Sequence, residues 1–238
     1  TPSDVAAFRT AILSWYKVNK RSLEWRDSDN PYHVWISEIM LQQTRVDQMN
    51  AYFTRFIARF PALVDLAVAQ ESDVLKVWEG LGYYARARNM HKAAQLMVTQ
   101  HEGRIPDSYE ELIALPGIGT YTAAAVSSIA FDRDHAVLDG NVVRVLCRLL
   151  RMEKDTRRAA TKKQLISASQ RLLQPGQAGD FNQGMMELGA RVCTPQKPGC
   201  QTCPVGGLCR AKAELDNPTL LPLKAPKKQK PHYSVAAG

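Results

Sequence analysis

Four cysteines near the end of the chain constrain its fold more than any other sequence feature. Cys193, Cys200, Cys203 and Cys209 follow the spacing Cys-x6-Cys-x2-Cys-x5-Cys. The stretch from Cys193 to Cys200 contains two prolines and a glycine, and it is therefore predicted to be a loop rather than a helix. Thiolates are soft ligands that suit zinc or iron–sulfur clusters. The loop is predicted to wrap around such a centre.

Two alternatives to an iron–sulfur site follow from the same residues. Disulfides are disfavoured because the chain is neither small nor rich in cysteine and shows no secretory signal. Zinc is the stronger competitor, although zinc sites usually pair two short spacings around a longer gap. One tight Cys-x2-Cys step with wider flanks favours a single 4Fe–4S cluster, and from spacing alone both metals stay open. The fifth cysteine, Cys147, is interpreted as a small core residue.

Composition points to a globular protein with a polyanionic partner. The chain has 238 residues and a net charge of +8, which suggests nucleic acid but also fits a generic basic surface. No apolar run approaches the roughly 20 residues needed to cross a bilayer, and no export signal is visible. We therefore expect no membrane contact and an intracellular protein, cytoplasmic or associated with the nucleoid.

Hydrophobic periodicity predicts an all-α fold. A first helix is expected to begin after Ser3 as its N-cap, and later helices are expected to end at Pro61 and near Gly80. No alternating strand pattern is convincing. Further helices are predicted over residues 83–101, 107–114, 120–131, 141–152, 161–173 and 180–191.

The segment Leu115-Pro116-Gly117-Ile118-Gly119 breaks this rhythm and is followed by a helix. Two glycines leave backbone N–H groups free of side chains, and the next helix adds a favourable dipole, so the segment can bind phosphate. This is a helix–hairpin–helix interpretation, with Ile118 anchored in the core. An ordinary corner between two helices is the alternative. The segment from Gly80 to Tyr83 is a weaker copy.

Two carboxylates stand out beside these motifs. Asp139 precedes an apolar helix, where an N-cap is the ordinary interpretation and an ionised carboxylate at a cleft is the functional one. Glu38 lies among apolar residues of a predicted helix. If Glu38 is buried, its pKa should rise so that it holds a proton near neutrality.

Together these features resemble the endonuclease III superfamily of helix–hairpin–helix DNA glycosylases. Within that superfamily the chain resembles the adenine glycosylase branch, the MutY family, at four motifs. They run over residues 37–44, 80–89, 138–142 and 181–189, and the likeness covers nearly the whole chain up to a Pro- and Lys-rich stretch.

The resemblance implies a two-lobed fold with a 4Fe–4S cluster loop. A six-helix bundle bearing the hairpin would span residues 27–134, and the cluster domain would combine 1–26 with 135–215. Residues 216–238 would be a linker or tail. The family usually continues into a C-terminal domain that helps to recognise oxidised guanine, so a shortened form with reduced discrimination is expected.

The resemblance also implies a monofunctional base-excision-repair enzyme. Superfamily members with lyase activity carry a lysine nucleophile where this chain has Tyr121. The expected reaction is hydrolysis of the N-glycosidic bond of adenine mispaired with 8-oxoguanine or guanine in double-stranded DNA, by a monomer. Alternatives are a thymine glycosylase acting on G·T mispairs and a catalytically idle, cluster-containing DNA-binding module.

Site residues carry over by matching motif positions. The catalytic set would be Glu38 as the acid, Asp139 as the stabiliser of the sugar cation, and Tyr121 and Asn141 around the reacting sugar. The adenine pocket would comprise Arg21, Trp25, Leu41 and Gln183. Of the predicted DNA contacts, Gln43, Thr44 and Tyr83 come from this match. Arg86 and Arg88 are predicted from their charge after a Gly-containing turn, and Gly117 and Gly119 from the hairpin, with Leu81 added from the weaker glycine segment. A monovalent or divalent cation at the hairpin is a further expectation.

Overall fold

The computed structural model describes residues 1–26, 28, 30–42 and 46–223, except for the side chains of residues 47 and 48. Within these ranges the chain is helical and contains no strand, which confirms the all-α prediction. The helices are α1 (Pro2–Asn19), α2 (Pro31–Leu41), α3 (Val46–Arg59), α4 (Leu63–Val68), α5 (Glu71–Val77), α6 (Ala85–Gln100), α7 (Tyr109–Ile113), α8 (Thr120–Phe131), α9 (Gly140–Leu149), α10 (Ala159–Leu172), α11 (Ala178–Arg191) and α12 (Arg210–Glu214). None of these helices is long and apolar enough to span a membrane.

Helix ends follow local capping chemistry. The N-cap prediction for Ser3 is wrong: Thr1 caps α1, because its side chain accepts the Asp4 N–H while the Asp4 carboxylate returns to the backbone of Thr1. Helix α3 ends at Arg59, just before Pro61, as expected. Helices α4 and α12 were not predicted, because six and five residues are too few to show a clear period.

The helices enclose two hydrophobic cores. The first is formed by residues between Leu23 and Val126, with Trp35, Phe56, Phe60 and Trp78 almost inaccessible. The second combines Phe8 and Ile12 of α1 with residues from Ala124 onward, including the buried Cys147. Cys147 is therefore a core residue, as interpreted. The two cores correspond in outline to the expected two lobes, whose boundaries stay a prediction.

Helices α2, α8, α9 and α11 meet between the two cores. Helix α8 packs against α2 on one side and α11 on the other, and α11 also packs against α1 and α9. The approach of α11 to α9 is close enough that a Cβ on Gly189 would lie 2.6 Å from the Asn141 Cβ. Glycine at this position thus allows the contact that places Asn141 beside α11.

One residue of the predicted tail packs into the second core. Leu221 is only 1 % exposed and belongs to that core, and the Thr156 N–H donates to the Leu223 carbonyl at 3.2 Å. Leu220 and Leu223 remain exposed, and the boundary of the tail at residue 216 stays a prediction. Residues 224–238 lie outside the described part of the chain.

Candidate active site and cysteine-rich loop

Helix α2 places Glu38 inside the protein. The helix is apolar around nearly its whole circumference, with buried residues at every position from Val34 to Met40. Glu38 itself is 5 % exposed. Burial raises the pKa of the Glu38 carboxyl to about 7. The sequence-based expectation that a buried Glu38 would hold a proton near neutrality is thus met.

Tyr121, in the first turn of α8, makes the direct polar contact with this carboxyl. Its hydroxyl donates to Glu38 Oε2 at 2.8 Å and lies 3.4 Å from the Met186 sulfur. Burial and the neighbouring carboxylates raise the pKa of Tyr121 well above its usual range, so the phenol stays protonated. A neutral phenol, and not an amine, therefore contacts the Glu38 carboxyl.

Asp139 caps α9 and faces the same space. Its Oδ1 accepts the Val142 N–H at 2.7 Å, and its Oδ2 accepts Asn141 Nδ2 at 2.8 Å. Burial raises the pKa of Asp139, while the hydrogen bonds from Val142 and Asn141 oppose that rise. The N-cap interpretation of Asp139 is therefore confirmed, and its carboxyl also lines the cavity described next, while its role as an ionised catalytic group stays a prediction.

One cavity of about 190 Å³ connects these groups. All four residues predicted as catalytic and all four predicted as the adenine pocket line it: Glu38, Tyr121, Asp139, Asn141, Arg21, Trp25, Leu41 and Gln183. These residues come from α2, α8 and α11, from the start of α9, and from the chain that connects α1 to α2. Their convergence gives the predicted site a physical location, and their individual roles remain predictions.

The cavity also contains charged residues that the sequence did not single out. Glu187 and Arg26 line it, and Arg21 and Arg26 both pair with the Glu187 carboxylate. Met186 packs against the second core and also lines the cavity. The ion pairs join positions more than 160 residues apart, so no local pattern could reveal them.

A larger cavity of about 710 Å³ opens on the other side of Tyr121 and Asp139. It lies among α8, α9 and α10 and is lined by Arg144, Lys162 and His135, among others. Asp139 thus lines both the small cavity and this larger one, which carries several basic side chains.

The predicted hairpin has the expected shape. Helices α7 and α8 flank it, and Ile118 is 5 % exposed in the first core. Gly117 adopts φ +77°, and a Cβ there would lie 2.7 Å from the Asn89 Cβ, so only glycine fits. Gly117 and Gly119 are exposed, with Gly119 as the N-cap of α8. Binding of DNA or of a cation at this hairpin stays a prediction.

The second glycine segment presents an exposed tyrosine. Tyr83 is 63 % exposed and adopts φ +48°, which is unusual for a residue with a side chain. Leu81, also predicted to contact DNA, is buried in the first core and therefore supports the turn from inside. Gln43 and Thr44 lie outside the described residues.

Arg86 holds this turn against the end of α2. Its guanidinium donates to five carbonyl groups, those of Ile39, Met40, Gln42, Leu81 and Gly82. It also lies over the rings of Trp78 and Tyr83. The side chain predicted to bind DNA is thus committed to backbone carbonyls, whereas Arg88 is exposed and lies 3.5 Å from Glu71.

The four clustered cysteines line one small cavity. Their connecting segments are loops with a short 3-10 turn, as the prolines and glycines predicted, and all four thiols are free. Over the ranges that the structure describes, no three His, Cys, Asp or Glu side chains form a group able to hold a single metal ion. The four thiols line one common space.

Two arginines of α9 attach this loop to the active-site side of the protein. Arg148, 2 % exposed, donates to the carbonyls of Thr194 and Pro195 and lies 3.4 Å from the Cys193 sulfur. Arg144 donates to the Cys193 carbonyl at 2.6 Å and to Asn141 Oδ1 at 2.8 Å. The loop and Asp139 therefore share one helix as their support.

Comparison with known proteins agrees with this geometry. Residues 36–174 match the model of the HhH-GPD superfamily base excision DNA repair proteins. The chain is 47 % identical over 218 residues to an adenine DNA glycosylase of Mus musculus and 45 % identical over 228 residues to that of Homo sapiens. These alignments cover 88 % and 92 % of this chain but 42 % of each relative, so the chain spans less than half of their length.

Solved structures show the same fold. A thermostable thymine-DNA glycosylase superimposes with a TM-score of 0.81 and 28 % identity, covering 90 % of this chain and 98 % of the other. A trapped endonuclease III–DNA covalent intermediate superimposes with a TM-score of 0.74 at 21 % identity, with 90 % and 97 % coverage, and shares the fold alone. The matched domain exceeds half of the sequence, and the chain therefore belongs to the HhH-GPD superfamily of base excision DNA repair proteins.

Proposed function

We propose that the chain carries the catalytic part of a monofunctional adenine DNA glycosylase, acting on adenine opposite 8-oxoguanine or guanine. The observation that carries this proposal is the buried Glu38 carboxyl, with its pKa raised to about 7, facing Asp139 in one cavity. The relatives named adenine DNA glycosylases support the choice of adenine.

The two carboxylates suit a glycosidic cleavage. A flipped adenine would enter the small cavity, at a cost of a few kcal/mol for leaving the stack that is least for a mispair. Glu38 donates its proton to N7 of adenine as the bond between C1′ and N9 breaks, so the electron pair leaves on a neutral base. Asp139 stabilises the positive charge on the sugar, and water adds to C1′ and returns a proton to Glu38.

The absence of a lyase step follows from Tyr121. An amine at this position would form a Schiff base with the opened sugar, and a phenol hydrogen-bonded to Glu38 does not. The product would therefore be an intact strand with an abasic site. The wide cavity beside Asp139 offers room for the strand that carries the reacting sugar.

We further propose that Cys193, Cys200, Cys203 and Cys209 hold a 4Fe–4S cluster. The spacing with one tight Cys-x2-Cys step and the resemblance to the endonuclease III superfamily favour the cluster over zinc, and the four cysteines line one shared cavity. When bound, the cluster would serve as a structural crosslink of this loop, which Arg148 and Arg144 join to α9.

Duplexes that place adenine opposite 8-oxoguanine, guanine or thymine, and thymine opposite guanine, test the proposed activity. We expect release of free adenine from the two mispairs and strand breakage only after alkali, with Asp139→Asn as the inactive control. Release of thymine would support the alternative that the thymine-DNA glycosylase fold suggests. Binding without release of any base would identify an idle module.

Cofactor content is tested by metal and sulfide analysis of protein purified without oxygen. Four irons and four sulfides per chain, lost in Cys200→Ser, are expected for the cluster. One zinc per chain would overturn that assignment.

A further inference from the structure

Glu187 is a buried carboxylate at the wall of the small cavity. Its side chain has no exposed surface, and it lies one helical turn after Gln183 on the face of α11 that lines the cavity. Buried carboxylates are costly unless paired. Glu187 therefore needs charged or hydrogen-bonding partners inside the protein.

Two guanidinium groups share this carboxylate. Arg21 donates through Nε to Oε1 at 2.6 Å and through Nη2 to Oε2 at 2.9 Å, a two-pronged contact of fixed geometry. Arg26 donates to Oε2 at 2.8 Å. Hydrogen bonds from both arginines outweigh the effect of burial and lower the pKa of Glu187, which stays ionised.

These contacts fix a wall of the cavity that has no helix of its own. The segment from Lys20 to Arg26 connects α1 to the chain before α2, and one turn bond links the Arg26 N–H to the Leu23 carbonyl. The same segment supplies Arg21, Trp25 and Arg26 to the cavity. The contacts of Glu187 on α11 with Arg21 and Arg26 therefore fix the position of this segment at the cavity.

The negative charge of Glu187 also offsets the positive charges of Arg21 and Arg26 beside Glu38. Positive groups face the cavity from the connecting segment, Arg21 and Arg26, and Arg191 of α11 lies 3.9 Å from Glu187. Tyr121 from α8 and Asp139 from the start of α9 face Glu38 from the other side. Among the groups that act on Glu38, Arg26 has a small effect that favours the ionised form, and Glu187 offsets this charge because its Oε2 accepts the Arg26 guanidinium at 2.8 Å.

We propose that Glu187 is a positioning residue of the excision site: it holds Arg21 and Arg26 against the wall and neutralises them so that Glu38 keeps its proton. This inference rests on the proposed function for its consequence in catalysis. Its electrostatic part concerns Glu38 alone and is measurable without a substrate.

The test is a titration of the Glu38 carboxyl by carbon NMR in protein labelled at glutamate side-chain carboxyls, with the signal assigned by its loss in Glu38→Gln. Glu187→Gln should lower the titration midpoint by about one pH unit, the effect of exposing a carboxyl to an unbalanced neighbouring cation. Arg26→Gln should raise the midpoint, because it removes that cation while Arg21 still pairs with Glu187. The double variant should return towards the wild type.

Excision under single-turnover conditions gives the second measurement. At about pH 7.5, Glu187→Gln should release adenine roughly fivefold to tenfold more slowly, following the smaller protonated fraction, whereas Glu187→Asp should keep the wild-type pH midpoint. An unchanged NMR midpoint in Glu187→Gln and Arg26→Gln would overturn the inference, and Arg26→Gln decides alone if Glu187→Gln does not fold. If the variants change the Glu38 titration midpoint as expected but the wild-type protein releases no adenine, the positioning inference holds and the proposed function is refuted.

Discussion

Replacing Glu38 with glutamine should abolish excision and at the same time stabilise the protein. The carboxyl has an ordinary pKa of 4.5 in the unfolded chain and about 7 in the folded protein. Because the folded state holds the proton more tightly, stability is lost as pH rises between these values. At ~1.4 kcal/mol for each tenfold change in proton affinity, the ionised form costs roughly 3 kcal/mol above pH 7.

Glutamine carries no such cost. Its amide oxygen can still accept the Tyr121 hydroxyl that Glu38 Oε2 accepts at 2.8 Å, and its volume is nearly the same. Below the unfolded pKa both forms of the residue are neutral, so the two proteins should then be about equally stable. The advantage of Glu38→Gln should therefore grow with pH and level off above about pH 7.

Thermal unfolding followed by far-UV circular dichroism measures this difference. A domain of this size gains about 2–4 °C in Tm per kcal/mol, so Glu38→Gln should melt roughly 6–12 °C higher at about pH 8 and clearly less so near pH 5. Glu110→Gln, at an exposed position of α7, is the matched control. A variant that is destabilised, or whose advantage does not change with pH, would refute the buried-acid reasoning.

Three further substitutions test the site from other directions. Tyr121→Phe removes a hydrogen bond that partly opposes the effect of burial on the pKa of Glu38, so the pH midpoint of excision should move upward; a downward shift would contradict the assigned contact. Gly189→Ala should cost about 1–3 kcal/mol in thermal unfolding and slow excision, because its Cβ would displace Asn141, whereas Gly207→Ala adds a methyl group to open space and is the control. Arg86→Lys should lower Tm by several degrees, because a lysine cannot donate to all five carbonyls and each hydrogen bond to a charged group contributes about 1.5–3 kcal/mol. An equal loss of Tm in Arg88→Lys would argue against a stabilising role of these Arg86 contacts.

The parts of the site that the sequence revealed are those with a local signature. Asp139 stands before a helix, Glu38 interrupts an apolar stretch, and the hairpin glycines have few alternatives to a tight turn. Local chemistry singled out both carboxylates as candidates, and the resemblance to the MutY family assigned their roles. That they share one cavity depends on the packing of α2, α8 and α9, which local patterns do not specify.

The features that sequence analysis missed or misread depend on distant partners. Glu187 resembles any charged residue of an amphipathic helix until Arg21 and Arg26 reach it across the fold. Arg86 was assigned to DNA from its charge, and the carbonyls it binds belong to two separate segments. Leu221 was assigned to a tail from its proline- and lysine-rich surroundings, yet the second core has a place for it.

The pH dependence of adenine release is the decisive measurement for Glu38 as the proton donor. Single-turnover excision from a duplex with adenine opposite 8-oxoguanine should fall tenfold per pH unit once the pH exceeds about 7, the pKa of Glu38. Glu38→Gln should release no adenine at any pH. A rate that stays constant through this range in the wild type, or substantial release by Glu38→Gln, would contradict the assignment of Glu38 as the proton donor.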